Sequence, residues 1–287
     1  MNFQIKYELY RAYFERILGE ACENLPAYPD ALADSMRYSL LAGGKRIRPV
    51  LFYAALDALG LSFEQEDELA LATECIHTYS LIHDDLPAMD NDDFRRGKLS
   101  NHKVFGEANA ILAGDALLSY ALDLILQAAA KSPRHLPAGR VLSQAAGPMG
   151  MISGQHADLY FEHVDGSVKD LEFIHVHKTA RMIAAPLVMA ATLADKYTEE
   201  FADFGEKLGL LFQITDDILD EKGAEMGKTL GKDKLAGKLT AVKVYGMERA
   251  ERLANEYAAD CHQILDKLPV DTQFLRGVVD LVLTRNR

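Results

Sequence analysis

His77-Thr-Tyr-Ser-Leu-Ile-His-Asp84-Asp85-Leu-Pro-Ala-Met-Asp90-Asn-Asp-Asp-Phe-Arg95-Arg96-Gly97 is the stretch on which the reading of the chain turns. It carries five aspartates followed by two arginines, and it closes a mostly apolar run, residues 69–82, with the length and composition of a buried helix. Carboxylates at the end of such a helix need partners, because an ionised carboxylate away from water is costly unless it is paired or holds a metal. Hard oxygen ligands gathered in this way suit Mg²⁺, which commonly bridges one or two carboxylates to substrate phosphates. Arg95 and Arg96 read as the phosphate side of the same site, since a guanidinium fork matches phosphate oxygens two at a time. Pro87 disfavours helix at Leu86, so the helix is expected to break there and let Asp90 swing back towards Asp84.

A second acidic cluster lies more than a hundred residues downstream, Gln213-Ile-Thr-Asp216-Asp217-Ile-Leu-Asp220. On a helix Asp216 and Asp220 stand one turn apart, with Asp217 beside them and Gln213 a turn earlier. A single run of aspartates reads equally well as a solvated loop. Two runs, each after an apolar helical segment and each with basic residues nearby, point to two jaws of one diphosphate site holding Mg²⁺.

Working outward, Gly43-Gly44-Lys45-Arg46-Ile47-Arg48-Pro49 sets backbone freedom and three cations before a helix start, a plausible anion site. His77 lies two turns before Asp84 on the same helix face and reads as a substrate contact. A further helix, residues 171–194, carries His177-Lys178-Thr179, and residues 221–238 form a lysine-rich loop with Lys228 and Lys238. Residues 98–104 read as loop. The polar group Gly154-Gln155-His156-Ala157-Asp158 either lines a cavity or caps a helix. No period-two strand, internal repeat or low-complexity linker stands out. The expectation is one all-α domain over residues 1–287.

Composition narrows the function classes. The 287 residues hold 43 acidic and 31 basic side chains, net −12, which argues against a general basic surface for nucleic acid. Cys22, Cys75 and Cys261 are odd in number and lack metal-ligand spacing, as in a reduced intracellular protein. Residues 1–20 are amphipathic and mixed in charge, and no stretch reads as a membrane span, so a cytoplasmic protein is expected.

The conjunction of the glycine-lysine-arginine motif, Asp84-Asp85-Leu-Pro-Ala-Met-Asp90 with Arg95-Arg96-Gly97, Lys178-Thr179 and Gln213 with Asp216-Asp217-Ile-Leu-Asp220 resembles the trans-isoprenyl diphosphate synthases, bacterial farnesyl diphosphate synthases above all. The resemblance runs from about residue 30 to the Arg-Asn-Arg end. It implies a large helical bundle around a central cavity, usually a homodimer. It also implies that Asp84, Asp85, Asp90, Asp216, Asp217 and Asp220 hold Mg²⁺, three ions with substrate bound. Arg95, Lys178, Thr179, Gln213, Lys228 and Lys238 would contact the allylic diphosphate, with Lys45, Arg48, His77 and Arg96 holding isopentenyl diphosphate. Asp84, Asp85, Asp90, Arg95, Lys178 and Asp216 would carry the catalysis. Tyr79 and Ser80, five and four residues before Asp84, sit roughly 7.5 and 6 Å back along the helix axis. In the family an aromatic there goes with a fifteen-carbon product; Tyr79 as ordinary core is the other reading. A geranylgeranyl diphosphate synthase, a non-catalytic subunit of a heteromeric synthase and a class I terpene cyclase are the alternatives. Two intact aspartate clusters count against the last two. The chain departs from the family at Arg181, where small residues are usual, and at Thr240-Ala241-Val242.

Overall fold

The computed structural model describes residues 2–223 and 237–285. The fold is all-α. In chain order the helices are α1 Phe3–Glu23, α2 Asp30–Leu40, α3 Ile47–Ala58, α4 Asp67–Asp84, α5 Asn101–Phe105, α6 Glu107–Lys131, α7 His135–Ala146, α8 Met151–Tyr160, α9 Val168–Ile174, α10 Arg181–Ala194, α11 Thr198–Glu221, α12 Ala241–Tyr245, α13 Met247–Lys267 and α14 Gln273–Thr284. Among the described residues the only strands are β1 Phe94–Arg95 and β2 Lys98–Leu99, paired antiparallel.

That ribbon and α5 correct the reading of residues 98–104 as loop. The hairpin turns on Arg96 and Gly97, both at positive φ (53° and 76°), the combination a two-residue turn of matching twist requires. Arg-Gly carries a weaker signal than Asn-Gly, and the strands are too short for alternation to show. Pro49 lies in the first turn of α3, where its missing N–H breaks no intrahelical bond.

Chain contacts divide into two compact units, residues 1–53 with 62–139, and residues 54–61 with 140–287. In the first, α4 packs on α6 and α2 packs on both. Gly114 on α6 makes this possible, since a Cβ there would fall 2.1 Å from Nε2 of His83 on α4. A second apolar centre joins Tyr10, Tyr13 and Phe14 of α1 to Tyr53 and Phe63, with edge contacts such as Tyr13 to Tyr53 at 5.6 Å. Its hydroxyls do not go unmatched: Tyr13 and Tyr53 both donate to Asp67 at the start of α4, each at 3.3 Å. By length and hydropathy α6 would suffice to cross a membrane, but one side of it packs on α4 and α2.

In the second unit α11 is the central element, touching α10, α13 and α14. Residues 171–194 do not form one helix. Between α9 and α10 the six residues His175–Ala180 wind into a π-helical turn that packs on α8 and α11. Such bulges shift the register of the following side chains and recur at functional sites. Glycines again permit the approach: a Cβ on Gly209 of α11 would lie 2.3 Å from Cα of Ala180.

One buried charge cluster fixes the glycine-rich segment before α3. Arg46, at φ 50°, has a fully buried guanidinium that donates to Glu74 at 2.6 Å, Glu15 at 2.9 Å and the Leu40 carbonyl at 2.7 Å. Removing one member of a buried pair strands the other without water. Arg46→Met is therefore expected to lower the unfolding free energy by about 3–5 kcal/mol in urea titration, whereas a loss below about 1 kcal/mol would show that Glu74 is not stranded.

Candidate functional site

Each unit brings together one set of the residues that the sequence singles out. In the first unit α4 ends at Asp84, and the chain folds back over its own last turn. The N–H of Asp90 donates to the Asp84 carbonyl at 2.9 Å, and that of Asp92 to the Asp85 carbonyl at 3.1 Å. Leu86, followed by Pro87, leaves the helix as its carbonyl takes the Met89 and Asn91 N–H groups. This turn returns Asp90 to Asp84, both partly exposed, while Asp85 points inward and is buried.

Asp85 is engaged by Arg95 of β1, whose Nε stands 2.9 and 3.2 Å from its two oxygens and whose Nη2 also donates to it. Arg95 reaches Asp92 as well, at 3.4 Å. Burial pushes the Asp85 carboxyl up to about 6, and Arg95 keeps it from rising further, so at neutral pH it is ionised and paired. In this structure the oxygens of Asp85 are held by the guanidinium, and the carboxylate braces the ribbon that presents Arg95 and Arg96.

Arg96 turns to the glycine-rich segment and donates to the Gly43 carbonyl. Its guanidinium lies so close over Gly44 that a Cβ there would fall 2.8 Å from Cζ. Lys45 is exposed, with its carbonyl held by the Tyr7 hydroxyl at 2.7 Å. His77 sits among these cations. Burial, then the fields of Arg48, Arg96, Arg46 and Arg95, hold its imidazole well below the ordinary 6.5, so it is neutral at pH 7. Arg48, His77 and Arg96 thus share one electropositive neighbourhood, in which His77 can hydrogen-bond an anion but adds no charge.

Tyr79 is buried on α4, its ring edge-on to His83 at 5.7 Å. Its hydroxyl has no hydrogen-bond partner among the described residues, and burial raises its pKa to about 12. A buried hydroxyl left unpaired costs about 1–3 kcal/mol. Ser80, half-buried, spends its hydroxyl on the His77 carbonyl at 2.8 Å.

In the second unit the π-helical turn presents Lys178 and Thr179. Thr179 donates to Gln213 at 2.7 Å and Gln213 to Asp217 at 2.9 Å, a chain from the turn to α11. Asp217 is buried; its other oxygen accepts the Ala241 N–H at 2.6 Å and lies 3.2 Å from Nε2 of His175. Asp217 thereby caps the start of α12 and ties the return of residues 237–240 to α11. Asp216 and Asp220, one turn apart on α11, remain partly exposed, and Asp216 pairs with Arg285 at 2.9 Å. Lys238 approaches Lys178 through a shared contact with Asp158. Arg181 donates to the Met149 carbonyl, which anchors the entry to α8. Lys228 lies outside the described residues.

Sequence reasoning did not single out His175, Asp92, Arg285 or the Arg46 cluster. Only the last had a local signal, a third cation inside the glycine-rich motif. Among the described residues no three His, Cys, Asp or Glu side chains converge to hold a metal ion by themselves. Mg²⁺ does not require that, because it keeps water and takes one or two carboxylates with phosphate oxygens. The partly exposed oxygen pairs Asp84 with Asp90 and Asp216 with Asp220 fit such an ion.

Residues 29–270 match the family model for polyprenyl synthetase. The chain is 44% identical over 261 residues to a farnesyl diphosphate synthase of Micrococcus luteus, covering 89% of this chain and 90% of that one. It is 43% identical over 261 residues to geranylgeranyl pyrophosphate synthase 4 of Arabidopsis thaliana, covering 88% of this chain and 70% of that protein. Among solved structures, a Helicobacter pylori geranyltransferase complexed with magnesium and isoprenyl diphosphate superposes with a TM-score of 0.83 at 35% identity, over 97% of this chain and 96% of that one.

The neutral state of His77 has a consequence for stability. Unfolding restores its ordinary basicity, so below about pH 6.5 the unfolded chain binds a proton that the folded chain refuses, and stability falls on acidification through that range. His77→Gln keeps a donor that does not titrate. Urea unfolding between about pH 7.5 and 5.5 is expected to show a smaller acid loss in the variant than in the wild type. Equal losses would assign the proton to another group.

Proposed function

Because the chain belongs to the polyprenyl synthetase family and is a prenyltransferase, we propose that it condenses isopentenyl diphosphate head-to-tail with dimethylallyl or geranyl diphosphate to give farnesyl diphosphate. The observation that carries the reading is the pairing, in one chain, of partly exposed aspartates at two helix ends with separate cation groups. In the first unit Lys45, Arg48, Arg96 and neutral His77 hold the diphosphate of isopentenyl diphosphate. Asp84 and Asp90 are metal ligands and Arg95 an allylic contact, with Asp85 holding Arg95 in place. In the second unit Lys178, Thr179, Gln213 and Lys238 act on the allylic diphosphate, and Asp216 and Asp220 are metal ligands. Residues 1–287 work as one polyprenyl synthase domain, and Lys228 belongs to the allylic set by its place in the motif.

Mg²⁺, when bound to these carboxylates, neutralises the charge growing on the leaving diphosphate. The magnesium of the Helicobacter pylori structure supports its use; three ions with substrate bound is the complement proposed. The side chains do the remaining work. The cations orient each diphosphate so that the double bond of isopentenyl diphosphate faces the allylic carbon as its C–O bond ionises. Asp85 and Asp217, fixed by their own partners, keep the binding residues from reorganising during the reaction. The released diphosphate takes the proton lost from the new chain, and no side chain need serve as base.

Tyr79 sets the product length. A buried tyrosine whose hydroxyl has no described partner is poorly explained as core, and is well explained as an end wall for an apolar tail. A twenty-carbon product is the second reading, favoured by the likeness to the Arabidopsis geranylgeranyl synthase. The protein works as a cytoplasmic homodimer. Three free, buried cysteines suit a reducing compartment. The face of α6 away from α4 exposes Ile111, Leu112, Leu122 and Leu126, a stripe suited to a second copy.

Incubation with Mg²⁺, isopentenyl and dimethylallyl diphosphates, followed by dephosphorylation and mass analysis, is expected to give a dominant fifteen-carbon alcohol. Tyr79→Ala should shift the products to twenty carbons or more. Unchanged products in the variant would move the end wall elsewhere, and absence of condensation by the wild type would defeat the reading. Leu122→Glu with Leu126→Glu is expected to halve the mass in sedimentation equilibrium, and an unaltered dimer would remove α6 from the interface.

A further inference from the structure

Gly154 and Asp158 stand one turn apart on α8 and meet the π-helical turn together. At Gly154 the contact is backbone to backbone: a Cβ there would lie 2.1 Å from N and 2.6 Å from Cα of Lys178. No side chain fits, so the approach of α8 to this turn is fixed by the absence of one. One turn on, Asp158 is only 5% exposed. Its Oδ2 accepts from Nζ of Lys178 at 2.6 Å and lies 3.4 Å from Nζ of Lys238. Sharing one oxygen atom, the two ammonium groups stand no more than about 6 Å apart, a separation at which like charges in a partly desolvated place repel strongly. The two lysines come from different parts of the chain, the π-helical turn and the segment before α12, and both side chains are largely buried.

We infer that Asp158 is a positioning residue for the allylic diphosphate: it holds Lys178 and Lys238 together as one cation pair. Without that carboxylate between them, the like charges of the two lysines would drive them apart. Gly154 sets the height of α8 over the turn, and Asp158 converts that height into the position of two ammonium groups. The inference rests on the reading that Lys178 and Lys238 bind the allylic substrate.

The test is a double-mutant cycle in steady-state kinetics, with KM measured separately for geranyl and isopentenyl diphosphates. Asp158→Asn is expected to raise KM for geranyl diphosphate about tenfold and to leave that for isopentenyl diphosphate unchanged. In a Lys178→Met background the same substitution should have a clearly smaller effect, because only the hold on Lys238 is left to lose. Asp158→Glu, which keeps the charge and moves it by one methylene, should fall between wild type and Asp158→Asn. If Asp158→Asn does not fold, Asp158→Glu decides by the same criterion of a rise confined to geranyl diphosphate. Equal effects in both backgrounds, or a parallel rise for both substrates, would overturn the inference and leave the site reading standing. No effect of Lys178→Met on KM for geranyl diphosphate would instead defeat the site reading, and this inference with it.

Discussion

A carboxylate taken out of water must be matched by a cation or by hydrogen-bond donors, and much of this molecule follows from how that demand is met. Asp85 is matched by Arg95, Glu74 by Arg46, Asp217 by an N–H, an amide and an imidazole, and Asp158 by two lysines. In each case the match ties a helix to a segment that would otherwise have little to hold it: the ribbon, the glycine-rich stretch, the start of α12, the π-helical turn. A buried ion pair adds little net stability compared with apolar packing, but it is unforgiving of rearrangement. Its value here is geometric.

The acidic clusters accordingly divide by burial. Asp84, Asp90, Asp216 and Asp220 keep contact with solvent, whereas Asp85 and Asp217 are sunk into the protein and spend their oxygens on it. The division follows from helix geometry. Neighbouring residues on a helix point about 100° apart, so when the first of a pair faces outward the second is turned into the packed side. A doubled aspartate on a helix thus leaves one carboxylate at the solvent and sinks the other into the scaffold.

Much of this was legible in the sequence. The apolar run of residues 69–82 announced α4, which spans Asp67–Asp84. The return of Asp90 to Asp84 could be anticipated from Pro87, since proline acts locally. What escaped the sequence depended on contacts between distant residues. A π-helical turn has no composition of its own, and at residues 175–180 it is accompanied by Gly154, which precedes it by some twenty positions. The separate parts of Asp85 and Asp217 were hidden for the same reason, because a carboxylate's partners decide its task and those partners, Arg95 and the Ala241 N–H, lie ten and twenty-four residues away.

His77 shows how the cationic groups of a net acidic protein are kept effective. With Arg48, Arg96, Arg46 and Arg95 around it, a protonated imidazole would add a fifth positive charge to a desolvated place, and the folded state resists that proton. The positive charge of this neighbourhood is then carried by guanidinium groups and does not drift as pH changes near neutrality. A neutral imidazole still donates one hydrogen bond. The neighbourhood keeps its positive field and a directional donor without the cost of a further buried charge.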